Sequence, residues 1–270
     1  MLPQLQDTGG LIFMSKKIAD AFKNGKAFIG FVTAGDPNLG VSEQIMVSMA
    51  KAGCDLIEIG IPFSDPIAEG PVIQEANLRS LTQGTTTDKV FELTKKVSAQ
   101  VDIPLVYMTY LNVLFRYGYD RFLEKASAAG VSGVIIPDMP FEEKEELQSV
   151  AKNYDIEVVS LIAPTSDDRI KMIAAQAEGF VYTVSSMGVT GARNEIKTNL
   201  EEITKAIKAA TDVPVAIGFG INTPEQVKEF SHIADGIIVG SAIVKIIEQY
   251  GTAAPEKVYE YVKTMKNAIR

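Results

Sequence analysis

The chain has 270 residues, of which 46% are hydrophobic and 22% are charged, a balance typical of a globular protein with a large buried core. Its formal net charge of −8 argues against nucleic acid as the main partner, because that affinity comes from clustered lysine and arginine. A phosphorylated small molecule stays compatible with this charge, since backbone amides at helix N-termini bind phosphate.

The sequence also bears on whether the protein has disulfides, a zinc site or a membrane span. The lone Cys54 cannot form an internal disulfide, which favours a reducing, cytoplasmic setting. We expect Cys54 to be a small buried side chain of the core. One cysteine and one histidine leave no thiolate or imidazole cluster that could hold zinc. No apolar run approaches the roughly 18 residues that a membrane span needs. We therefore expect a cytoplasmic protein that has neither a zinc site nor a membrane segment.

The N-terminal segment 1–14 is a candidate disordered extension. Residues 1–13 lack both the basic start and the long apolar stretch of a secretory signal. Met14 is followed by Ser-Lys-Lys, so translation could start there or at Met1, and the sequence leaves both starts open. From residue 15 to residue 270 no linker or change in composition divides the chain, which predicts one domain.

Eight short apolar runs recur along the chain, with helix-patterned segments between them. Most runs are apolar at nearly every position, which predicts strands buried on both faces, as in a parallel sheet. The predicted strands are Phe28–Thr33, Leu56–Ile59, Leu105–Met108, Gly133–Ile136, Val158–Ile162, Phe180–Val184, Val215–Gly218 and Gly236–Val239. The predicted helices include Val41–Ala52, Asp88–Val101, Tyr119–Ala129, Glu142–Asn153, Asp167–Ala177, Asn199–Ala210 and the short Ala242–Ile247. This alternation predicts an α/β fold, a single (β/α)8 TIM barrel with extra short helices.

The loops that follow the strands hold the candidate functional residues, because barrel enzymes place their chemistry at the C-terminal ends of the strands. Glu58 stands near the end of the second strand, and the loop after it carries Asp65 and Glu69. Glycine-rich turns follow strands seven and eight, and Gly240 and Ser241 lead into the short helix. A helix N-terminus beside such turns is the usual phosphate site of a barrel. The alternative interpretation is that these glycines only make tight turns.

Carboxylates have to carry the proton chemistry, since His232 lies upstream of the eighth strand, at the other end of the barrel. Glu58 stands between Ile57 and Ile59, and such surroundings raise the pKa of a carboxyl group, as a general acid/base requires. A buried ion pair of Glu58 with arginine or lysine is the alternative. A magnesium ion on the carboxylates also stays open, although nearby apolar side chains favour a metal-free pocket for a flat apolar substrate. These side chains are Phe31, Phe63, Met108, Tyr110, Tyr182 and Phe219.

Five motifs, taken together, closely resemble the tryptophan synthase alpha subunit family. They are Phe31-Val-Thr-Ala-Gly-Asp-Pro37, Glu58-Ile-Gly-Ile-Pro-Phe-Ser-Asp-Pro66, Gly188-Val-Thr-Gly191, Gly218-Phe-Gly-Ile221 and Val239-Gly-Ser-Ala-Ile-Val244. The resemblance implies a lyase that cleaves indole-3-glycerol phosphate to indole and glyceraldehyde 3-phosphate in the last steps of tryptophan biosynthesis. It implies no cofactor in this chain. It also implies a beta-subunit partner that carries pyridoxal phosphate, in an alpha2beta2 heterotetramer.

The resemblance also assigns roles to residues by motif position. Glu58 matches the general acid/base, which protonates indole carbon 3 and takes the glycerol hydroxyl proton. Glu69 matches the second catalytic carboxylate, at the indole N–H, where the family usually has aspartate. Asp65 would join the loop after strand two to the loop after strand six. The implied substrate-binding residues, with Asp65, are Phe31, Met108, Tyr110, Tyr182, Thr190, Gly191, Gly218, Phe219, Gly220, Gly240 and Ser241.

Two other functions stay open on the sequence. One is another phosphosugar-binding barrel enzyme, although no lysine stands at a strand end, where such enzymes would need one. The other is a weakly active or non-catalytic allosteric subunit of the alpha type, an interpretation supported by the glutamate at position 69. A lyase that acts without a beta partner is a third, milder variation, which the sequence does not separate from the main prediction.

Overall fold

A computed structural model describes residues 16–184, 193–218 and 220–269 of the chain, without the side chains of residues 193–199. Within these ranges, eight parallel strands pair in chain order and close into a barrel, with the last strand beside the first. The predicted (β/α)8 barrel is therefore confirmed. The candidate extension 1–14 lies outside the described residues and stays a prediction.

The strands agree with the predicted apolar runs to within two residues at each end. They are β1 (Ala27–Thr33), β2 (Leu56–Gly60), β3 (Leu105–Met108), β4 (Val131–Ile135), β5 (Glu157–Ile162), β6 (Glu178–Val184), β7 (Val215–Gly218) and β8 (Gly236–Val239). The strands β5 and β6 begin earlier than predicted, at Glu157 and Glu178. Both glutamates pair with a neighbouring strand, because backbone pairing does not require an apolar side chain.

The described helices include several that the apolar pattern did not predict. They are α1 (Leu39–Lys51), α2 (Pro71–Thr82), α3 (Thr87–Ser98), α4 (Leu111–Tyr117), α5 (Tyr119–Ala128), α6 (Lys144–Ala151), α7 (Asp167–Ala174), α8 (Arg193–Ala210), α9 (Pro224–Ser231), α10 (Ser241–Tyr250) and α11 (Ala254–Ala268). Of these, α2, α4, α9 and α11 were not predicted. A local signal existed for α9, where Thr223 and Gln226 form a reciprocal capping box around Pro224. None of the helices within the described ranges is long and apolar enough to cross a bilayer.

Alternate residues of each strand face either the inside of the barrel or the layer of helices. The interior cluster takes one or more side chains from every strand, among them Ile29, Leu56, Phe180 and Ile238. Glu58 stands two residues after Leu56 on β2, so its side chain belongs to the same interior layer. The fold thus places this carboxyl group inside the barrel, near the C-terminal end of its strand.

A short 3-10 helix, Ile18–Phe22, closes the N-terminal end of the barrel. Ile18 is fully buried and belongs to the interior cluster. A Cβ added at Gly133 would lie 2.6 Å from Ile18 Cδ1, so the glycine leaves room for this side chain. Because this helix closes the N-terminal end of the barrel, a ligand would enter at the C-terminal ends of the strands.

Cys54 and His232 lie away from that end or inside the packed layers. Cys54 is buried, its Sγ lies 3.0 Å from the carbonyl oxygen of Leu56, and burial raises the pKa of the thiol to about 12. His232 is exposed directly after α9, at the N-terminal side of β8. Both placements agree with the prediction that neither residue takes part in the chemistry.

Candidate active site

Glu58 carries a fully buried carboxyl group in the interior of the barrel. It pairs through its backbone with Phe31 on β1 and Val106 on β3, in the middle of the closed sheet. Among the described residues, neither of its carboxyl oxygens has a hydrogen-bond partner. The alternative of a buried ion pair with arginine or lysine therefore finds no support in the described side chains. An unpaired carboxyl group is free to exchange a proton with a ligand.

Burial raises the pKa of Glu58 to about 8. The cause is desolvation, since the surrounding barrel interior is apolar and penalises the charged form. A group whose pKa lies near neutral pH can give a proton in one step and take one in the next. The position of Glu58 thus has the electrostatic property that a general acid/base needs.

Tyr182 on β6 lies next to Glu58 in the barrel interior. Its pKa is raised well above the ordinary value, first by burial and second by the charge of Glu58. A Cβ added at Gly218 would lie only 2.5 Å from Tyr182 Oη, so this glycine makes room for the ring. Gly240 borders Phe31 in a similar way, with 3.3 Å between an added Cβ and the Phe31 Cβ. Glycines at the strand ends thus make space for two aromatic side chains.

Replacing Gly218 with alanine is expected to displace the Tyr182 ring and to lower activity. The added methyl group cannot remain 2.5 Å from Oη, and overpacking of this kind costs about 1–3 kcal/mol of stability. Urea unfolding and indole release measured on the variant check both effects. The matched control is Gly40→Ala on α1, where the nearest atom lies 3.6 Å from the added Cβ and no loss is expected. Full activity and stability in Gly218→Ala would contradict the packing argument.

Glu69 lies on the loop after β2, and three hydrogen bonds from other elements hold this loop. Tyr110 Oη accepts from the backbone N–H of Ala68 at 3.0 Å, and Gln74 Nε2 donates to the carbonyl oxygen of Glu69 at 2.8 Å. Asn77 Nδ2 donates to Glu69 Oε2 at 2.8 Å. Burial raises the pKa of Glu69, and the bond from Asn77 partly opposes this rise. Gln74 and Asn77 were not among the predicted site residues, because both lie on α2, which the apolar pattern did not predict.

Apolar and aromatic side chains lie at the same end of the barrel. Tyr110 stacks on Phe63, with ring centroids 5.1 Å apart and planes inclined by 29°. Met108, at the end of β3, packs against both the interior cluster and the cluster that contains Phe31. These contacts bring together the predicted indole-binding residues Phe31, Met108 and Tyr110 around the exits of β1 and β3. Their roles toward a substrate stay predictions.

A helix N-terminus lies at the exit of β8. Gly240 is the N-cap of α10, which begins at Ser241 directly after the strand. The first N–H groups of a helix have no acceptor within it and can bind a phosphate. Gly220 follows the neighbouring strand β7 with φ +79°, a backbone conformation that favours glycine. Gly218, Gly220, Gly240 and Ser241 are thus on adjacent strand exits, as a phosphate site requires.

Several predicted residues are not placed. Thr190, Gly191 and Phe219 lie outside the described residues, as does the rest of segment 185–192. Asp65 is exposed and accepts a hydrogen bond from Ser64, while the residues after strand six to which it was predicted to link lie outside the described residues. Within the described ranges, no group of three or more histidine, cysteine, aspartate or glutamate side chains is arranged to hold a metal ion.

Comparison with known proteins identifies the family to which this barrel belongs. The family model described as tryptophan synthase alpha chain matches residues 18–270. The chain belongs to the tryptophan synthase alpha chain family. A relative of that name from Lactiplantibacillus plantarum is 49% identical over 249 residues, which cover 92% of this chain and 94% of the relative. Another, from Lacticaseibacillus casei, is 44% identical over 256 residues, 95% of this chain and 96% of the relative.

A solved structure supports the same family assignment. The crystal structure of tryptophan synthase subunit alpha from Legionella pneumophila has a TM-score of 0.86 and 32% sequence identity, and the match covers 95% of this chain and 98% of that one. The family cleaves indole-3-glycerol phosphate in tryptophan biosynthesis, and its members are lyases of the alpha-subunit type. The resemblance seen in the five motifs is therefore confirmed, and so is the predicted activity. Alpha chains of tryptophan synthase need no cofactor of their own.

Proposed function

We propose that Glu58 is the general acid/base with which this chain cleaves indole-3-glycerol phosphate. The observation that carries the proposal is its complete burial without a partner among the described residues, together with a pKa of about 8. The protonated carboxyl group gives its proton to indole carbon 3. The carboxylate then takes the proton of the neighbouring glycerol hydroxyl while the carbon–carbon bond breaks and the aldehyde forms. Glu58 therefore ends the cycle protonated, as it began.

Glu69 is the second carboxylate of the proposed mechanism. Protonation at carbon 3 makes the indole ring cationic and its N–H acidic, so a negative charge beside that nitrogen stabilises the transition state. Glu69 is half-buried at the mouth of the barrel, and the Asn77 hydrogen bond supports its charged form. Glutamate is one methylene longer than the aspartate usual in the family, so the position of its carboxylate depends on these loop contacts.

The phosphate binds at the N-terminus of α10 in this proposal, with Gly220, Gly240 and Ser241 around it. The strand β1 pairs with β2 on one side and with β8 on the other. Phe31 on β1 therefore stands between the strand that carries Glu58 and the strand that leads to the phosphate site. This order supports a substrate that lies across the mouth of the barrel, with the phosphate held at β8 and the indole near Glu58.

We further propose that a tryptophan synthase beta subunit, which carries pyridoxal phosphate, receives the indole in an alpha2beta2 assembly in the cytoplasm. Two large apolar side chains near the mouth support such a partner. Ile67, on the loop after β2, is 80% exposed, and Phe115 on α4 is 71% exposed. A cavity of about 360 Å³ lies between the same loop and α4. Its lining includes Phe63, Ser64, Asp65, Asn112, Arg116 and Tyr117.

Indole release from indole-3-glycerol phosphate, measured with and without a purified beta subunit, tests the proposed function. We expect the chain alone to release indole and the beta subunit to accelerate this release. The variant Phe115→Ser should lose the acceleration and keep the basal rate, whereas Met172→Ser on α7, which also removes an exposed apolar side chain, should keep both. Absence of indole under both conditions would contradict the proposal. Release without acceleration would instead indicate a lyase that works without the partner.

A further inference from the structure

Asn77 is a buried amide in contact with the second carboxylate. Its side chain on α2 is only 3% exposed, and Nδ2 donates a 2.8 Å hydrogen bond to Glu69 Oε2. In the described part of the chain, no other side chain donates to this carboxylate. We propose that Asn77 is a positioning residue that holds the Glu69 carboxylate in the orientation needed at the indole nitrogen. The inference rests on the proposed function of Glu69.

The helix that carries Asn77 is fixed to the rim of the barrel. Arg79 donates two hydrogen bonds of 2.9 Å to the two carboxylate oxygens of Asp36. Ser80 Oγ donates to the carbonyl oxygen of Ala34 at 2.6 Å. Both acceptors lie within three residues of the end of β1, so α2 is tied to the exit of a barrel strand within one turn of Asn77. The amide therefore has a defined position relative to the strands.

The loop that carries Glu69 is exposed on both sides of that residue, at Ala68 and Gly70. A Cβ added at Gly70 would have no atom within 4 Å, and Ile67 is largely exposed. Tyr110 and Gln74 hold the backbone of this loop, and neither of these hydrogen bonds involves the Glu69 carboxylate. Three rotatable bonds separate that carboxylate from the backbone. The hydrogen bond from Asn77 restricts these rotations. Asn77 thus connects the carboxylate of Glu69 to the fixed position of α2.

The same bond bears on the charge of Glu69. Burial raises the pKa of this carboxyl group, whereas donation from Asn77 favours the charged form and lowers it. Among the described residues, Tyr110 at the N-terminus of α4 is the titratable side chain that faces Glu69, and burial raises its pKa to about 12, so it stays neutral. Removing the amide donor should therefore shift the ionisation of Glu69 to higher pH. A purely structural role of Asn77 would not move this ionisation.

The first test is the pH profile of indole release by Asn77→Ala. We expect kcat near neutral pH to fall about tenfold, since a hydrogen bond to a charged group is lost, and the acid limb of the profile to move to higher pH. Gln74→Ala is the matched control, because it removes a bond of the same length to the backbone of Glu69 and should not move the acid limb. If Asn77→Ala does not fold, Asn77→Leu replaces it, with similar volume and no donor.

The second test is a double-mutant cycle with Glu69→Asp. The shortened carboxylate no longer reaches Asn77 at 2.8 Å, so removing the amide should cost much less activity in this background than in the parent. Strongly non-additive effects are therefore expected. Additive effects would show that Asn77 does not act through Glu69 and would overturn the inference.

A third measurement does not depend on turnover. In protein labelled with 13C-glutamate, the carboxyl signal of Glu69 is assigned from its loss in Glu69→Gln and is then titrated. We expect a higher pKa for Glu69 in Asn77→Ala and an unchanged one in Gln74→Ala. If the parent releases no indole, the proposed function fails, yet this titration still shows whether Asn77 sets the pKa of Glu69 through its hydrogen bond. If the parent is active but neither the acid limb nor the titration moves, the inference about Asn77 fails alone.

Discussion

Indole release is expected to fall on the order of a thousandfold when Glu58 is replaced by glutamine, because general acid–base catalysis contributes roughly 10²–10⁴ in rate. Glutamine keeps the size of the side chain but cannot exchange the proton. The barrel should be retained, since the position is buried and no described residue depends on a hydrogen bond to Glu58. The measurement is indole release at saturating substrate. Glu75→Gln, an exposed position on α2, is the matched control and should keep the parent rate.

The pH dependence of stability gives the Glu58 variant a second expected result. The pKa of Glu58 is about 8 in the folded protein against an ordinary value of 4.5, so the folded state binds this proton more tightly than the unfolded state. The free energy of unfolding therefore contains a contribution from Glu58 that is largest below pH 4.5. This contribution decreases as the pH rises from 4.5 to about 8 and does not change further above that pH. Urea unfolding of parent and variant between pH 4 and 9 should show this decline only in the parent. A variant with normal indole release, or an identical decline in both proteins, would contradict the assignment.

Replacing Arg79 with leucine is expected to destabilise the protein by on the order of 3 kcal/mol, because it leaves the buried carboxylate of Asp36 without its partly buried partner. Asp36 is 1% exposed, and both of its carboxylate oxygens accept hydrogen bonds from Arg79. The loss should also lower indole release, since the pair ties α2 and its Asn77 to the exit of β1. Urea unfolding and indole release measure the two effects.

A second arginine–carboxylate pair that is also joined by two hydrogen bonds provides the control. Arg169 donates to both carboxylate oxygens of Glu142, but this pair lies exposed on the surface. Exposed pairs contribute about 0–1 kcal/mol, so Arg169→Leu should change stability little and indole release not at all. Equal losses in Arg79→Leu and Arg169→Leu would show that burial of Asp36 does not decide the effect.

The strands and the first carboxylate could be predicted because their signals are local. A strand buried on both faces requires apolar residues at successive positions, and this pattern identified all eight strands of the barrel. The start of α10 could likewise be predicted, because Gly240 and Ser241 stand directly before an apolar, helix-patterned segment. The helix α2 was missed, since its apolar residues alternate irregularly with polar ones. Because Gln74, Asn77 and Arg79 lie on this helix, their positions could not be predicted either.

The sequence by itself determined the barrel, the family and the acidic character of the loop after β2, because each depends on residue types at fixed spacing along the chain. Only the tertiary structure decided that Glu58 has no partner among the described residues and that Asn77 contacts the Glu69 carboxylate. The desolvation of Glu58 depends on side chains from strands that meet only when the barrel closes. The pair of Arg79 and Asp36 joins residues 43 positions apart for the same reason. Such contacts are properties of packing in space, which no local pattern of residues records.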